Sequence, residues 1–135
     1  LDTEMQQKIH ERIRLKATKI AESMGAVAEV DIQIGYPVTY NDPELTALMV
    51  PTLKRVAGAT QVVQVPAITG AEDFSFFQKE VPGLYFFLGG KPKTAGDEMP
   101  KLGGHHTPDF YVDESGLLLG VKAMLNLTLD YMEMK

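Results

Sequence analysis

One stretch, from Glu29 to Tyr36, constrains the fold of this chain more than any other, because its residues alternate strictly in polarity. Apolar Val30, Ile32, Ile34 and Tyr36 are interleaved with Glu29, Asp31, Gln33 and Gly35. Such alternation predicts a strand with one buried face and one solvated face. A sheet that is wet on one face is usually antiparallel, and a lone strand is not stable. We therefore expect the partners of this strand to lie outside the chain or in another copy of it.

Helical patterns with clear start and stop residues occupy much of the remaining sequence. The first is capped by Asp2 or Thr3 and stops at Gly25, the second begins at Asp42-Pro43 and stops at Gly58, a short one follows Asp73, and the last follows Asp113. Pro51 lies too deep in the second to be an entry proline, so it should kink or split that helix. Gly116 and Gly120 in the last helix indicate close packing against a sheet.

Two further strands are predicted between these helices. Residues 61–65 form a short β-branched run, and residues 84–88 form a continuous apolar run, which is typical of a strand covered on both faces. The predicted fold class is therefore α/β, in the order helix–strand, then helix–strand–helix–strand–loop–helix. We expect pieces of two domains, an α+β piece over residues 1–40 and an α/β piece over residues 41–135.

Composition excludes several functional classes. The 135 residues carry a net charge of −5 and show no basic stripe, which argues against nucleic acid as a partner. No apolar run approaches the ~20 residues of a membrane helix, so no membrane partner is expected. The absence of cysteine excludes disulfides and thiolate metal sites and fits a reducing compartment, so we expect a cytoplasmic protein. Because the chain begins with Leu1, it reads as a piece of a longer protein or a processed one.

The loop from Gly103 to Phe110 holds two adjacent histidines, His105 and His106. The preceding glycines can adopt positive φ and approach a ligand closely, and Pro108 restricts the backbone that follows. A loop so constrained could hold an imidazole as a metal ligand or acid–base group. A surface turn whose histidines happen to be neighbours explains the same spacing equally well.

The segment from Gly70 to Phe77 has two readings as well. It is either a capped helix start with aromatic residues facing the core, or a strand-to-helix loop that offers N–H groups to an anionic ligand. Glu72 and Asp73 argue against a simple phosphate site. They would suit a metal neighbourhood or the anchoring of a histidine.

Three segments together resemble a known family. They are Tyr36–Leu45 (YPVTYNDPEL), Gly70–Phe76 (GAEDFSF), and His106–Phe110 (HTPDF) followed by Asp113-Glu114. In order and spacing they are similar to the C-terminal part of the di-metal amidohydrolases. The branch they resemble contains aminoacylases, hippurate hydrolases and auxin-conjugate hydrolases, within the carboxypeptidase and aminoacylase metallopeptidase family.

The resemblance implies that residues 1–40 end a lid domain, which often forms homodimers, and that residues 41–135 end a catalytic domain. The histidine before Thr-Pro matches a metal ligand, which favours His106 over His105, while Gly70, Ala71 and Asn41 would lie on the substrate side. In this family two divalent ions, usually zinc, manganese or cobalt, polarise the amide carbonyl of an N-acyl amino acid or small peptide and activate a bridging water. A glutamate then transfers the proton of that water to the leaving amine.

The chain departs from this family in one large respect. The other metal ligands and the glutamate base belong to the family's N-terminal half, so no catalytic residue is assigned here. A catalytic metal needs about three protein ligands. His105, His106, Glu72 and Asp73 could supply a set in principle, although adjacent residues rarely point at one ion.

We therefore expect the isolated chain to be inactive. The alternative is a non-catalytic module in which residues 2–36 serve self-association.

Overall fold

The computed structural model describes residues 2–92 and 103–134, and the regular structure in these ranges is helical. The helices are α1 (Thr3–Ser23), α2 (Pro43–Ala57), α3 (Phe74–Glu80), a 3-10 turn (Glu114–Gly116) and α4 (Leu117–Glu133). Within these ranges there is no strand, only an isolated parallel bridge between Gly103 and Phe110. The predicted α/β class, with strands at 29–36, 61–65 and 84–88, is therefore wrong for this structure.

The predicted strands fail because local sequence preference does not supply a partner. Alternation and β-branched residues favour an extended chain, but a strand forms only beside another strand that bonds its backbone. Residues 26–42, 62–72 and 82–90 have no regular structure. Ile34 and Tyr36, assigned to the buried face of the first strand, are 70% and 55% exposed. The Tyr85 backbone, in the third run, pairs with the side chain of Asn41.

The predicted helix starts and stops are confirmed, because they depend on neighbouring residues only. Asp2 caps α1 by accepting the Met5 N–H at 2.8 Å, and Asp42 caps α2 by accepting the Leu45 N–H at 2.8 Å. Gly25 and Gly58 follow the two helices with φ of 71° and 94°. Pro51 lies inside the single continuous helix α2, so the predicted split does not occur.

The small core lies where α2 packs on α4. Its buried apolar residues are Met49, Leu53 and Ala123. Gly120 allows an irregular segment to reach α4, since a Cβ there would lie 2.8 Å from Leu88 Cδ2. Likewise a Cβ on Gly116 would lie 3.1 Å from the Gly89 carbonyl oxygen. The close packing predicted for these two glycines therefore exists, although the segment packed there is not part of a sheet.

Helix α1 stands apart from this core. It has no buried residue, and within the described ranges it contacts none of the other helices. Residues before position 41 do reach the rest of the chain at Tyr36, whose ring meets Phe76 edge-on at 5.8 Å. The division into residues 1–40 and 41–135 stays a prediction. Among the helices in residues 2–92 and 103–134, none has the length and apolar character to cross a membrane.

Candidate functional site

Hydrogen bonds between its own residues close the histidine loop, which runs from Gly103 to Phe110. The Gly103 N–H donates to the Asp109 carbonyl at 3.1 Å, and the Phe110 N–H donates to the Thr107 carbonyl at 3.1 Å. The Thr107 hydroxyl donates to the Gly104 carbonyl at 2.7 Å. These bonds define the loop by its own residues, as a site that holds an imidazole in place requires.

The positive φ in this loop belongs to a histidine and not to the glycines. His106 has φ of 64° and is the only non-glycine residue with positive φ in the ranges described. Gly103 and Gly104 could adopt positive φ, but neither does so here. Gly103 is needed for a different reason, because a Cβ there would collide with the Thr107 side chain. A non-glycine residue held in the left-handed region is often found at a functional site.

The two histidines have different surroundings. Both are exposed, and their ring centroids are 6.5 Å apart. The His105 ring packs against Phe110 at a centroid distance of 4.9 Å, with the planes 45° apart. His105 thus has an aromatic neighbour within the loop, whereas the distinguishing feature of His106 is its backbone conformation.

The second candidate segment, which we call the acidic loop, runs from Gly70 to Phe76 and leads into α3. Gly70 and Ala71 are exposed, and Ser75 is completely buried. The Ser75 hydroxyl donates to the Glu72 carbonyl at 2.6 Å, while Asp73 precedes α3 without a side-chain capping bond. The helix start predicted from Glu72 and Asp73 is confirmed, and a buried serine rather than a carboxylate makes the local hydrogen bond.

Tyr85 connects the acidic loop to the run of residues 84–88. Its ring lies 5.9 Å from that of Phe74, and its hydroxyl interacts electrostatically with the Glu72 carboxylate. Partial burial raises the pKa of Tyr85 above its ordinary value, and this interaction with Glu72 raises it further. Sequence reasoning placed Tyr85 in a strand and missed this contact. The available signal was a hydroxyl within an otherwise apolar run, because a partly buried phenol usually finds a partner.

Asn41 pairs with the backbone of Tyr85 at two points. Its Nδ2 donates to the Tyr85 carbonyl at 2.7 Å, and its Oδ1 accepts the Tyr85 N–H at 2.7 Å. The Gln78 Nε2 also donates to Oδ1 at 3.4 Å. The three residues predicted for the substrate side, Asn41, Gly70 and Ala71, therefore belong to segments that meet around Tyr85.

The residues proposed from sequence as ligands do not form a complete metal site. Across residues 2–92 and 103–134, no three His, Asp or Glu side chains lie close enough together to hold an ion. His105, His106, Glu72 and Asp73 are thus not a ligand set in this structure. Among the described residues they therefore make no complete set for a catalytic metal, which needs about three protein ligands.

Comparison with known proteins decides the family. A family model described as peptidase family M20/M25/M40 matches residues 4–130. The chain belongs to this peptidase family. The match covers both the segment before Asn41 and the histidine loop, which is the extent of the resemblance drawn from the three sequence segments.

Relatives of this chain carry hydrolase names. Thermostable carboxypeptidase 2 of Saccharolobus solfataricus is 34% identical over 97% of this chain and 32% of its own length. The putative amidohydrolase YhaA of Bacillus subtilis is 30% identical over 83% of this chain and 27% of its own. An N-acetyldiaminopimelate deacetylase of Geobacillus is 34% identical over 66% of this chain and 23% of its own.

This M20/M25/M40 chain therefore spans about a third or less of the length of these relatives. No solved structure gave a significant match to it.

Proposed function

We propose that the full-length protein is a metal-dependent amidohydrolase that cleaves the amide bond of N-acyl amino acids or small peptides. The observation that carries this proposal is the family match over residues 4–130. A carboxypeptidase, an amidohydrolase and an N-acetyl deacetylase are among the relatives. Amide hydrolysis is the chemistry that these three names have in common.

His106 is the residue of this chain that we assign to the metal. The proposed cofactor is a pair of divalent ions, zinc, manganese or cobalt, which supply Lewis-acid chemistry when bound. The left-handed backbone at His106 and the closed hydrogen bonding of its loop support a held imidazole. The described residues supply no ligand cluster, and we assign the remaining ligands and the general base to the rest of the full-length protein.

Gly70, Ala71 and Asn41 are assigned to the substrate side of the site, and no catalytic residue is assigned within this chain. Exposed backbone at Gly70 and Ala71 supports the first two assignments. The substrate is a small molecule, with no nucleic acid or membrane as partner. We place the enzyme in the cytoplasm, following the absence of cysteine.

Residues 1–40 are proposed to end a lid domain that forms a homodimer. The support is α1, whose apolar side chains Met5, Ile9, Ile13 and Ile20 are all exposed. The same observation favours the second candidate function, a non-catalytic self-association module. Sedimentation of the full-length protein with and without Ile9→Lys and Ile13→Lys tests for the dimer, and amide hydrolysis by the wild type separates the two functions.

The metal assignment is tested by paired histidine variants of the full-length protein. His106→Ala should remove most turnover and weaken one metal site by roughly tenfold or more, since losing a ligand costs at least as much as losing an outer-shell partner. His105→Ala should do much less, because the His105 ring packs on Phe110. Bound metal, turnover and melting temperature should be measured on both. Full metal content with near-normal turnover in His106→Ala would refute the assignment.

A further inference from the structure

Three consecutive residues just before α2 are hydrogen-bonded to α3 and to the segment that follows it. The Tyr40 N–H donates to the Gln78 side-chain carbonyl at 3.0 Å, and the Asp42 N–H donates to the Gly83 carbonyl at 3.0 Å. Between them, Asn41 makes its two-point pairing with the Tyr85 backbone. Gly83 fits here because a Cβ would lie 2.6 Å from Gln78 Cγ. The Asn41 side chain thus bonds the Tyr85 N–H and carbonyl, the two backbone groups that a neighbouring strand would bond in a sheet.

Tyr85 connects Asn41 to the acidic loop. Its backbone is bound by Asn41, its ring packs on Phe74, and its hydroxyl interacts electrostatically with the Glu72 carboxylate. Phe74 and Glu72 lie on either side of Asp73, next to Gly70 and Ala71. Fixing the Tyr85 backbone therefore fixes two contacts that determine where the acidic loop sits.

We propose that Asn41 is a positioning residue, which holds the acidic loop at the substrate side by fixing Tyr85. The proposal rests on the proposed function for the statement that this loop borders the substrate. The link from Asn41 through Tyr85 to Glu72 is a property of the fold and can be tested without any activity.

The hydrogen-bonding capacity of Asn41 supports an indirect role. Its Oδ1 accepts from the Tyr85 N–H and from Gln78 Nε2, and its Nδ2 donates to the Tyr85 carbonyl. A side-chain amide has two N–H groups and one oxygen with two lone pairs, so a single N–H remains. Most of what Asn41 can bond is thus already committed to Tyr85 and Gln78.

Hydrogen–deuterium exchange of the full-length protein tests the structural link. Asn41→Ala and Tyr85→Phe should each speed exchange of the backbone amides of residues 70–76 by about three- to tenfold, the size expected for one lost hydrogen bond. Asn41→Asp, which keeps an acceptor for the Tyr85 N–H, should restore part of the protection. Asn126→Ala is the matched control, because Asn126 accepts from Arg55 in the α2–α4 contact and should leave residues 70–76 unchanged. Wild-type exchange in either Asn41→Ala or Tyr85→Phe would overturn the proposal.

A double-mutant cycle on KM tests the functional half, with N-acetyl-L-methionine and N-acetyl-L-alanine as probes. If Asn41 acts through Tyr85, the double variant should raise KM little more than the larger single effect. Effects that multiply would instead indicate that Asn41 contacts substrate directly, and would overturn the positioning role. If the wild type cleaves neither these probes nor a dipeptide panel, the proposed function fails while the exchange result still decides the structural link. If Asn41→Ala does not fold, Asn41→Asp and Tyr85→Phe carry both measurements.

Discussion

At the scale of single residues, the backbone of His106 is the most informative feature of the chain. A side chain with a Cβ in the left-handed region costs roughly 1–2 kcal/mol. His106 adopts φ of 64°, while Gly103 and Gly104, beside it in the same loop, do not take the positive φ. The loop therefore places unfavourable backbone geometry at the residue assigned to the metal. Such placement is common where the direction of one side chain matters more than stability.

This geometry predicts that His106→Gly stabilises the protein. Relief of the left-handed conformation should raise the free energy of unfolding by about 0.5–1 kcal/mol, the remainder being offset by the greater freedom of glycine in the unfolded chain. His106→Ala keeps the Cβ and should leave stability nearly unchanged. Urea denaturation of the metal-free full-length protein gives both values.

The control for this prediction is His105→Gly, where φ is not positive and where glycine also removes the packing on Phe110. It should lower the free energy of unfolding. Equal stability changes at positions 105 and 106 would mean that the left-handed backbone carries no cost.

At the scale of elements, α2 contains an internal proline that the fold tolerates. Pro51 has no N–H, so the carbonyl of Ala47 lacks its usual intrahelical partner, and an interior proline costs about 3 kcal/mol against alanine. Pro51 is exposed, so replacement should disturb no packing. Pro51→Ala should therefore raise the free energy of unfolding by about 1–3 kcal/mol, measured by urea denaturation. Pro43→Ala is the control, because a proline in the first turn loses no bond and its removal should give no gain.

The contact between α2 and α4 contains a polar network beside its small apolar core. Asp130 accepts hydrogen bonds from the buried Thr52 hydroxyl and from Arg55, the latter at 2.6 Å. Arg55 also bonds to Asn126 at 3.0 Å. The Thr52 and Arg55 hydrogen bonds hold the pKa of Asp130 below its ordinary value. The helix pair is therefore more stable when Asp130 is ionised.

Acid should weaken this helix pair in a defined direction. Because the folded pKa of Asp130 is lowered, its contribution is complete above the ordinary value of 3.8 and is lost as the pH falls through the lower folded value. Denaturation followed from pH 6 to pH 2.5 should show a shallower loss of stability in Asp130→Asn than in the wild type. Glu133→Gln, at the exposed end of α4, is the control. An unchanged slope in Asp130→Asn would contradict the role given to Thr52 and Arg55.

At the scale of the whole molecule, the chain buries too little apolar surface for its size. Its accessible area is 11426 Å², against about 7000 Å² for a compact protein of this mass. Apolar residues remain exposed on several elements, among them Ile20 in α1, Phe77 in α3 and Val121 in α4. The chain spans a third or less of the length of its relatives. Contact with further protein would cover these exposed apolar faces.

The isolated chain should accordingly hydrolyse no N-acyl amino acid, with or without added zinc or manganese. The physical reason is that its described residues bring no three metal ligands together and include no assigned general base. Product release from N-acetyl amino acids should be measured after repeated purification. Metal-dependent turnover that survives purification and disappears in His106→Ala would contradict this prediction.

Helix positions were predictable from sequence, because the determinants of a helix lie within a few residues of each other. Asp2, Asp42 and Asp113 bond the N–H groups of residues two or three positions later, and Gly25 and Gly58 end helices through their own φ. The family resemblance was also readable, since it depends on the order and spacing of short segments. The structure confirms the helix positions, and the family match over residues 4–130 confirms the resemblance.

The tertiary structure alone decided whether the predicted strands form and which residues of the site contact each other. Strand pairing needs a second strand at the right distance, and no local pattern supplies one, so the alternation of residues 29–36 stayed unpaired. The contacts of Asn41 and Glu72 with Tyr85 span 44 and 13 positions, and depend on how α2 and α3 are placed. The positive φ of the loop likewise lies at His106 and not at a glycine, while the missing Cβ of Gly103 makes room for Thr107.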